Sequence, residues 1–276
     1  MAKRDGYLAP PGTFGEQAAL RYDATGEHVG FPTHRAIIEA VGAGVIDEGV
    51  VAVENSLEGP VADTLDALIH FDNVYVRGEL VLPIDHNVIA APGTRLEDIT
   101  VVLSHPQALG QCRQYLERNL PNARIEAALS TAASVATAVK TPGFAGIGTK
   151  RAAELQGGTI LAAGVQDVAN NKTRFLIVGR EDHAPTGDDK TSIAFTVAHD
   201  RPGTLIGVLQ ELSTRSINLT DIESRPSRED IGIYVFLLDF QGHHQDAAVS
   251  EALAAVEERS SYFRLFGSYP RFVDTV

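Results

Sequence analysis

Cysteine is almost absent from this chain of 276 residues, in which Cys112 is the only one. A single cysteine cannot form an intrachain disulfide or a thiolate metal cluster, so neither a disulfide-stapled fold nor a cysteine-rich metal centre is expected. Basic residues are also scarce, because the formal net charge is -13 and no cluster of Lys and Arg stands out. Since nucleic acids require a concentrated basic surface, we expect no nucleic-acid partner.

Long apolar runs are missing as well. Gly, Asp or Glu interrupts every candidate before the ~20 residues that a membrane-spanning helix requires, and the opening Met-Ala-Lys-Arg-Asp lacks the apolar run of a signal peptide. We therefore expect no membrane partner and a cytoplasmic location. The nine histidines form no His-Glu-x-x-His pattern, and His243-His244 is expected in a solvated loop. Neither a metal nor a cofactor is expected.

Hydrophobic residues make up 44% of the chain, which is ordinary for packed cores, and the length suits two domains of about 150 residues each. Before about residue 180, short apolar runs alternate with amphipathic stretches, which predicts an α/β fold with largely parallel sheets. The predicted strands are 7–8, 50–53, 101–104, 125–127, 144–147 and 175–179. The predicted helices are 14–22, 34–42, 63–71, 108–119, 132–140 and 150–156.

A second domain follows a polar segment. Residues 180–189 contain Pro and Gly without periodicity, so they are predicted to link two domains, 1–182 and 190–276. The predicted order after this linker is strand 191–198, helix 204–214, strand 219–224, hairpin loop 226–230, strand 232–240, helix 247–258 and strand 264–269. This βαββαβ order is that of a ferredoxin-like fold.

Two sequence motifs point to one family. The segment Asn-Asn-Lys-Thr-Arg-Phe at 170–175 places a hydroxyl and a guanidinium where a strand begins, and Ile-Glu-Ser-Arg-Pro follows at 222–226. Both resemble elements of the prephenate dehydratase family, in the family's order. Pro-Gly-Thr-Leu at 202–205, entering a predicted helix, resembles an ACT domain, the amino-acid-sensing module usually appended to the bacterial members.

The resemblance implies a fold and an activity. The expected catalytic domain is bilobed and periplasmic-binding-protein-like, with two α/β lobes, the site in the cleft between them, and strand 175–179 returning to the first lobe. The expected reaction removes carbon dioxide and water from prephenate to give phenylpyruvate in phenylalanine biosynthesis. The expected allosteric effector is phenylalanine, acting as an end-product inhibitor.

Thr173 and Arg174 are the candidate catalytic residues in this interpretation. Arg174 can hold a carboxylate through two parallel hydrogen bonds, which lysine cannot do with the same geometry. Thr173 would hydrogen-bond the departing ring hydroxyl, either relaying a proton or stabilising the leaving group electrostatically, because an aliphatic hydroxyl is a poor acid near neutral pH. Without the motif, a strand-edge threonine and a surface arginine would be the simpler interpretation.

Several turns of the first domain join a strand end to a helix start. Such turns border the ligand crevice in open α/β sheets, and helix N-termini offer free N–H groups to anions. Taken singly, their Ser, Thr and Asn residues are explained by helix capping, but the resemblance makes them candidate contacts. The candidate substrate-binding residues are Thr13, Asn55, Ser56, His105, Ser130, Asn171 and Phe175.

The C-terminal module is expected to bind the effector. In the ACT domains that it resembles, an amino acid binds between paired modules, so we expect a homodimer or homotetramer. A structural alternative for Glu223 and Arg225 is a surface ion pair on one strand face. The candidate effector-binding residues are Gly203, Thr204, Leu205, Asn218, Leu219, Glu223, Ser224 and Arg225.

Three residues depart from the family pattern. Pro11 stands where a charged residue is frequent and Gly15 where a serine is usual, which bears on substrate affinity. Asp221 stands where a basic residue commonly precedes the Glu-Ser-Arg-Pro element, which bears on regulation. Two alternatives stay open: an arogenate dehydratase, whose substrate carries an amino group in place of the side-chain keto oxygen, and a non-catalytic amino-acid sensor.

Overall fold

The computed structural model describes residues 2–197, 202–227 and 232–273, within which the strands form three sheets. The strands are β1 (Arg4–Leu8), β2 (Glu27–Phe31), β3 (Glu48–Asn55), β4 (Gly59–Pro60), β5 (Tyr75–Pro83), β6 (Asn87–Ala90), β7 (Val101–Ser104), β8 (Arg124–Ala127), β9 (Phe144–Gly148), β10 (Thr159–Ala162), β11 (Lys172–Gly179), β12 (Asp189–Val197), β13 (Leu219–Pro226), β14 (Tyr234–Gln241) and β15 (Ser260–Pro270). The helices are α1 (Phe14–Tyr22), α2 (His34–Gly42), α3 (Ala62–His70), α4 (Pro106–Gln111), α5 (Arg113–Asn119), α6 (Thr131–Ala138), α7 (Lys150–Gln156), α8 (Thr204–Ser213) and α9 (Ala247–Glu258), with a short 3-10 turn at Leu96–Asp98.

The first sheet has the order β2-β1-β3-β11-β5, with β4 paired to β3. Strand β11 lies between β3 and β5, which confirms that it returns to the sheet formed by the start of the chain. Its residues 175–179 are all buried, as expected for a strand covered on both faces.

The second sheet has the order β10-β6-β9-β7-β8 and is mixed. Strand β7 runs parallel to β8 and β9, whereas β6 is antiparallel to both β9 and β10. The expectation of largely parallel sheets is therefore wrong for this sheet. The four residues of β6 are all buried, and a continuous buried run carries no sign of strand direction.

The third sheet has the order β13-β14-β12-β15, and its neighbouring strands are antiparallel. With α8 and α9 it gives the predicted βαββαβ order, and α9 has the predicted bounds. Its apolar core joins the sheet residues Ile193, Phe195 and Phe240 to helical residues that include Val208 and Leu212. Residue 198 of the predicted strand 191–198 and residues 228–230 of the predicted hairpin loop lie outside the described residues.

The predicted helix 108–119 is in fact two helices, because the chain breaks at Cys112, whose φ is -111° and ψ 12°. The Asp167 carboxylate accepts hydrogen bonds from the backbone N–H groups of Gln114 and Tyr115 and so supports the start of α5 from far along the sequence. Cys112 is buried, as its apolar stripe predicts, and burial together with the Asp167 charge raises the pKa of its thiol to about 12.

The chain divides into two compact units. The first unit comprises Met1–Ile37, Gly49–Thr64 and Val81–Phe175, and the second comprises Ile38–Glu48, Leu65–Leu80 and Leu176–Val276. The first contains an apolar core around Val88, Val102 and Ile147, and the second contains the core of the third sheet. Among the described residues, no helix combines the length and apolar character needed to span a membrane.

Candidate active site

The first unit contains a cavity of about 470 Å³, which is in the range of small-molecule sites. Its walls include residues at the N-terminal ends of α1, α2, α4 and α6, together with residues of β3 and β11. Helix N-termini carry unpaired N–H groups and a partial positive charge. The cavity therefore suits a small anion, although the chain as a whole is acidic.

The hydroxyl of Thr173 lies in the wall of this cavity with a defined orientation. Its oxygen accepts a hydrogen bond from Asn55 Nδ2 at 2.9 Å. The orientation of the Asn55 amide is fixed because its Oδ1 accepts from the backbone N–H groups of Leu57 and Glu58 at 3.0 and 3.1 Å. Since Thr173 accepts from Asn55, its own proton is available for donation.

Asn171 and Gln111 extend this hydrogen-bond network. The Asn171 Oδ1 accepts from Asn55 Nδ2 at 2.8 Å, and its Nδ2 donates to Gln111 Oε1 at 3.0 Å. The same Gln111 oxygen lies 3.0 Å from His86 Nε2, which must therefore carry the proton. Asn171 is only 1% exposed and is absent from the cavity wall, so it supports Asn55 from behind.

Ser56 is exposed and does not line the cavity. Its Oγ accepts from the backbone N–H of Lys172 at 2.9 Å, and its own N–H donates to the Lys172 carbonyl at the same distance. Ser56 thus attaches the end of β3 to the first residue of β11. This pairing holds Asn55 beside Thr173.

Thr13, His105 and Ser130 all line the cavity and all cap helices. The oxygen of Thr13 caps α1 and its hydroxyl donates to the Leu8 carbonyl, His105 Nδ1 caps α4, and Ser130 Oγ caps α6. Each of these side chains therefore both caps a helix and lines the cavity, so capping and substrate binding are not exclusive explanations for them. Their caps fix the helix N-termini that border the cavity.

Phe175 and Arg174 lie on opposite faces of β11, since successive residues of a strand alternate. Phe175 is 2% exposed and forms part of the cavity wall together with Thr173. Arg174 does not line the cavity, and its Nη1 lies 3.8 Å from a carboxylate oxygen of Glu54. The sequence motif predicted one site for all of these residues. The alternation of side chains along β11 places Arg174 on the other face from Thr173 and Phe175.

Gln111, His34 and His86 also line the cavity, and the sequence had predicted no role for them. Gln111 lies one helical turn after Gln107 on α4, which is a weak signal in the sequence. Burial lowers the pKa of His86, and it lowers the pKa of His34 to about 4 against the opposing effect of the Asp63 charge. Both imidazoles are therefore neutral at pH 7.

Five of the candidate effector residues divide between two places in the second unit. Gly203 is the N-cap of α8 with φ 88°, and Thr204 and Leu205 begin the helix, with Leu205 packing against the module's core. Asn218 and Leu219 line an open groove of about 460 Å³ at the C-terminal end of α8. Gly203, Thr204 and Leu205 do not line this groove.

Glu223 and Arg225 share the half-buried face of β13, while Ser224 lies on the exposed face. Arg225 forms its ion pair with Asp66 of α3 at 3.2 Å, not with Glu223. Both groups of this pair are mostly shielded, with side-chain exposures of 22% and 19%. The motif arginine therefore attaches the third sheet to α3 within the second unit.

The expectation that His243-His244 lies in a solvated loop is wrong. His243 is fully buried, its ring centroid lies 4.4 Å from that of His244 with the planes tilted by 32°, and the two lie with Asp182 in a cluster of possible metal ligands. His243 Nδ1 accepts from the Gln245 N–H, so its Nε2 carries the proton and donates to the His183 carbonyl. Both nitrogens serve structure, which leaves His243 no lone pair for a metal.

Comparison with known proteins identifies the family. The prephenate dehydratase family model matches residues 6–183, and the ACT domain model matches residues 191–258. The chain is 40% identical over 275 residues to a prephenate dehydratase of Mycobacteroides abscessus, covering 96% of this chain and 89% of that protein. It is 39% identical over 266 residues to a bifunctional chorismate mutase/prephenate dehydratase of Aquifex aeolicus, covering 96% and 73%.

A solved structure agrees with this assignment. The fold is similar to the crystal structure of a prephenate dehydratase in complex with L-Phe from Arthrobacter aurescens, with a TM-score of 0.90 and 35% identity. The alignment covers 97% of this chain and 90% of that one. The chain therefore belongs to the prephenate dehydratase family, with an ACT domain in its C-terminal part.

Proposed function

We propose that the cavity of the first unit converts prephenate to phenylpyruvate, carbon dioxide and water in phenylalanine biosynthesis. The observation that carries this proposal is the Thr173 hydroxyl, which accepts from Asn55 and keeps its proton for the cavity. As the bond from the ring to its carboxylate breaks, the electron pair aromatises the ring and the carbon–oxygen bond to the ring hydroxyl breaks. The departing hydroxide takes one proton and leaves as water.

Thr173 assists the departing hydroxyl by donating a hydrogen bond to it. Such a donor, held in place before the reaction, is stabilising because no reorganisation is needed when charge develops on the leaving oxygen. Asn55 supplies the orientation, and Phe175 supplies an apolar wall that keeps water from the ring. Whether the proton moves fully from Thr173 or arrives through it, the oriented hydroxyl is the required element.

The carboxylates of the substrate are bound at the helix N-termini that Thr13, His105 and Ser130 cap. These N–H groups are aligned with the helix dipoles and need no basic side chain. Ser56 and Asn171 act indirectly, by holding Asn55 in position. We assign Arg174 a supporting role through Glu54 of β3, since Arg174 lies on the face of β11 opposite Thr173 and Phe175.

Turnover of prephenate by Thr173 variants tests this function. Thr173→Val keeps the shape of the side chain but removes the hydroxyl, so kcat is expected to fall roughly 10²–10³-fold. Thr173→Ser retains the hydroxyl and is the matched control, with most of the activity preserved. Phenylpyruvate formation is measured with circular dichroism of each variant to verify folding, and wild-type turnover by folded Thr173→Val would contradict the proposal.

Arogenate, assayed in parallel, separates the alternatives. Turnover of arogenate alone would make the protein an arogenate dehydratase, and turnover of neither substrate together with phenylalanine binding would leave a sensor. The family match and the oriented hydroxyl favour the enzyme, because a sensor has no need of a donor for a leaving group.

We also propose that phenylalanine regulates the enzyme through the ACT domain, in a cytoplasmic homodimer or homotetramer. The proposed domains are 1–182 and 190–276, and the effector contacts are those around Gly203 and Asn218. Two exposed apolar side chains of the module support pairing, since Ile206 of α8 and Ile222 of β13 are 68% and 42% exposed. Loss of phenylalanine binding in Asn218→Asp, measured by calorimetry against Asn119→Asp, is the expected result, and unchanged binding would contradict the assignment.

A further inference from the structure

His34 is the cavity residue whose polar atoms are least accounted for by the protein. It is 7% exposed, its Nδ1 is completely buried, and this atom has no hydrogen-bond partner among the described residues. Among the other polar side chains of the wall, Asn55, Gln111 and the three capping residues have partners. His86 also has a buried Nδ1 without a partner, but its Nε2 is bonded to Gln111, whereas neither ring nitrogen of His34 has a partner among the described residues. A buried polar group without a partner in a native protein calls for a ligand or another specific cause.

The tautomer of His34 follows from this burial. A proton on Nδ1 would leave a buried N–H group without an acceptor, whereas a proton on Nε2 leaves only a bare lone pair on Nδ1. Orphaned buried N–H groups are the rarer and more costly of the two. Nε2 is the ring nitrogen that is not sealed off, so His34 presents a single neutral N–H donor to the cavity.

The surroundings of His34 select the kind of oxygen that it can bind. Asp63 is the charged group whose field acts on the imidazole, and its carboxylate lies 3.3 Å from the backbone N of Arg35 at the start of α2. A negative charge here disfavours a substrate carboxylate at the same place. An uncharged acceptor, such as a ketone oxygen, fits the neutral Nε2–H donor. Because the Asp63 charge by itself would attract a cation, discrimination against an ammonium group has to come from the direction of the Nε2–H bond.

We propose that His34 is a specificity-determining residue that donates an Nε2–H bond to the side-chain carbonyl of a keto-acid substrate and so discriminates against the corresponding amino acid. This inference rests on the proposed function. An ammonium group in place of the ketone offers only donors. To accept a hydrogen bond from the ammonium group, His34 would have to carry its proton on the buried Nδ1, which has no acceptor among the described residues. Leaving a buried polar group unpaired is sufficient for a preference of roughly 10- to 100-fold.

The test compares kcat/KM for prephenate and for arogenate in wild type, His34→Phe and His34→Gln. Wild type is expected to prefer prephenate. His34→Phe fills the space without a donor and should lose roughly 10- to 100-fold with prephenate, mainly through KM, while arogenate turnover changes little. His34→Gln offers an amide donor and should recover part of the preference. An unchanged ratio of the two substrates in His34→Phe would overturn the inference.

Two controls keep the outcome interpretable. If wild type turns over neither substrate, the proposed function fails, whereas wild-type prephenate turnover that is insensitive to His34→Phe defeats only the specificity role. If a variant does not fold, nitrogen NMR of histidine-labelled wild type decides the matter. We expect the Nε2–H tautomer and a shift of that resonance when phenylpyruvate is added, and an Nδ1–H tautomer or no shift would count against the proposal.

Discussion

Asn55 sets the orientation of the Thr173 hydroxyl because its two amide atoms have different partners. Its Oδ1 accepts two backbone N–H groups of the following turn, which turns Nδ2 toward Thr173 and Asn171. The direction of this hydrogen bond matters for the chemistry. Because the Thr173 oxygen accepts from Asn55, its proton can be donated to a group in the cavity.

Asn55→Asp should therefore inactivate the enzyme although it changes few atoms. A carboxylate at this position would accept the Thr173 proton and face the Asn171 oxygen, so we expect kcat for prephenate to fall roughly 10²-fold or more. Asn119→Asp makes the same chemical change on an exposed part of α5 and serves as the control. Retention of more than half of wild-type kcat in Asn55→Asp would show that Thr173 is oriented by something else.

His34 also predicts how stability depends on pH. Burial lowers its pKa from 6.5 to about 4, so between these values the unfolded chain binds a proton that the folded protein does not. The free energy of unfolding then falls as pH drops through this window, by roughly 3 kcal/mol when the whole shift is traversed. Urea unfolding at pH 7.0 and 4.5 should show a smaller acid loss in His34→Gln than in wild type; an equal loss in both would exclude His34 as a source.

At the scale of elements, sequence periodicity predicted most helices well, and it missed strand β5 for a definite reason. Helices α1, α2, α7 and α9 have the predicted bounds, because each shows an apolar face at helical spacing. Strand β5 was missed because it contains Arg77 and Glu79, which look like surface charges. In the structure the Glu79 side chain is 3% exposed and forms an ion pair with Lys190 at 2.9 Å. The carboxylate that the sequence suggests to be on the surface is therefore buried.

The C-terminal end of α3 is held by a buried guanidinium. Arg264 of β15 donates to the carbonyls of Leu68, Phe71 and Val74, and it is only 9% exposed. These are carbonyls that a helix end and the following turn leave without partners. Burial lowers the pKa of Arg264, and the many acceptors around the group compensate for its desolvation.

Arg264→Met should reduce the free energy of unfolding by roughly 2–4 kcal/mol, because several buried carbonyls lose a charged donor together. Arg259→Met removes an exposed guanidinium paired with Glu211 and is expected to leave stability unchanged. Guanidinium titrations followed by circular dichroism compare the two variants. Equal midpoints for both would mean that water or a rearranged chain satisfies the carbonyls of α3.

At the scale of the whole molecule, the exposed surface of the ACT domain bears on assembly. Strand β13 lies at the edge of its sheet, and its outward face carries the apolar side chain of Ile222. An exposed edge strand with apolar side chains is a common pairing surface. The proposed homo-oligomer would cover this edge and complete the effector site between paired modules.

Ile222→Glu is expected to shift the protein toward monomer and to weaken inhibition by phenylalanine, because a charge would be buried in the proposed contact. Ile125→Glu introduces the same charge at an exposed isoleucine of β8 and should do neither. Sedimentation equilibrium measures the mass, and prephenate turnover with and without phenylalanine measures inhibition. An unchanged mass for Ile222→Glu would place the contact elsewhere.

The sequence by itself determined the family, the order of the modules and most of the helices, because motifs and periodicity are properties of neighbouring residues. It did not determine which motif residues meet. Asn55 and Thr173 are 118 residues apart, Arg174 turns away from the cavity that Thr173 faces, and His34 enters the cavity without a motif. These positions were decided by the pairing of β3 with β11 and by the helix ends that meet at the cavity. The direction and the burial of a side chain depend on packing between segments that are distant in the sequence.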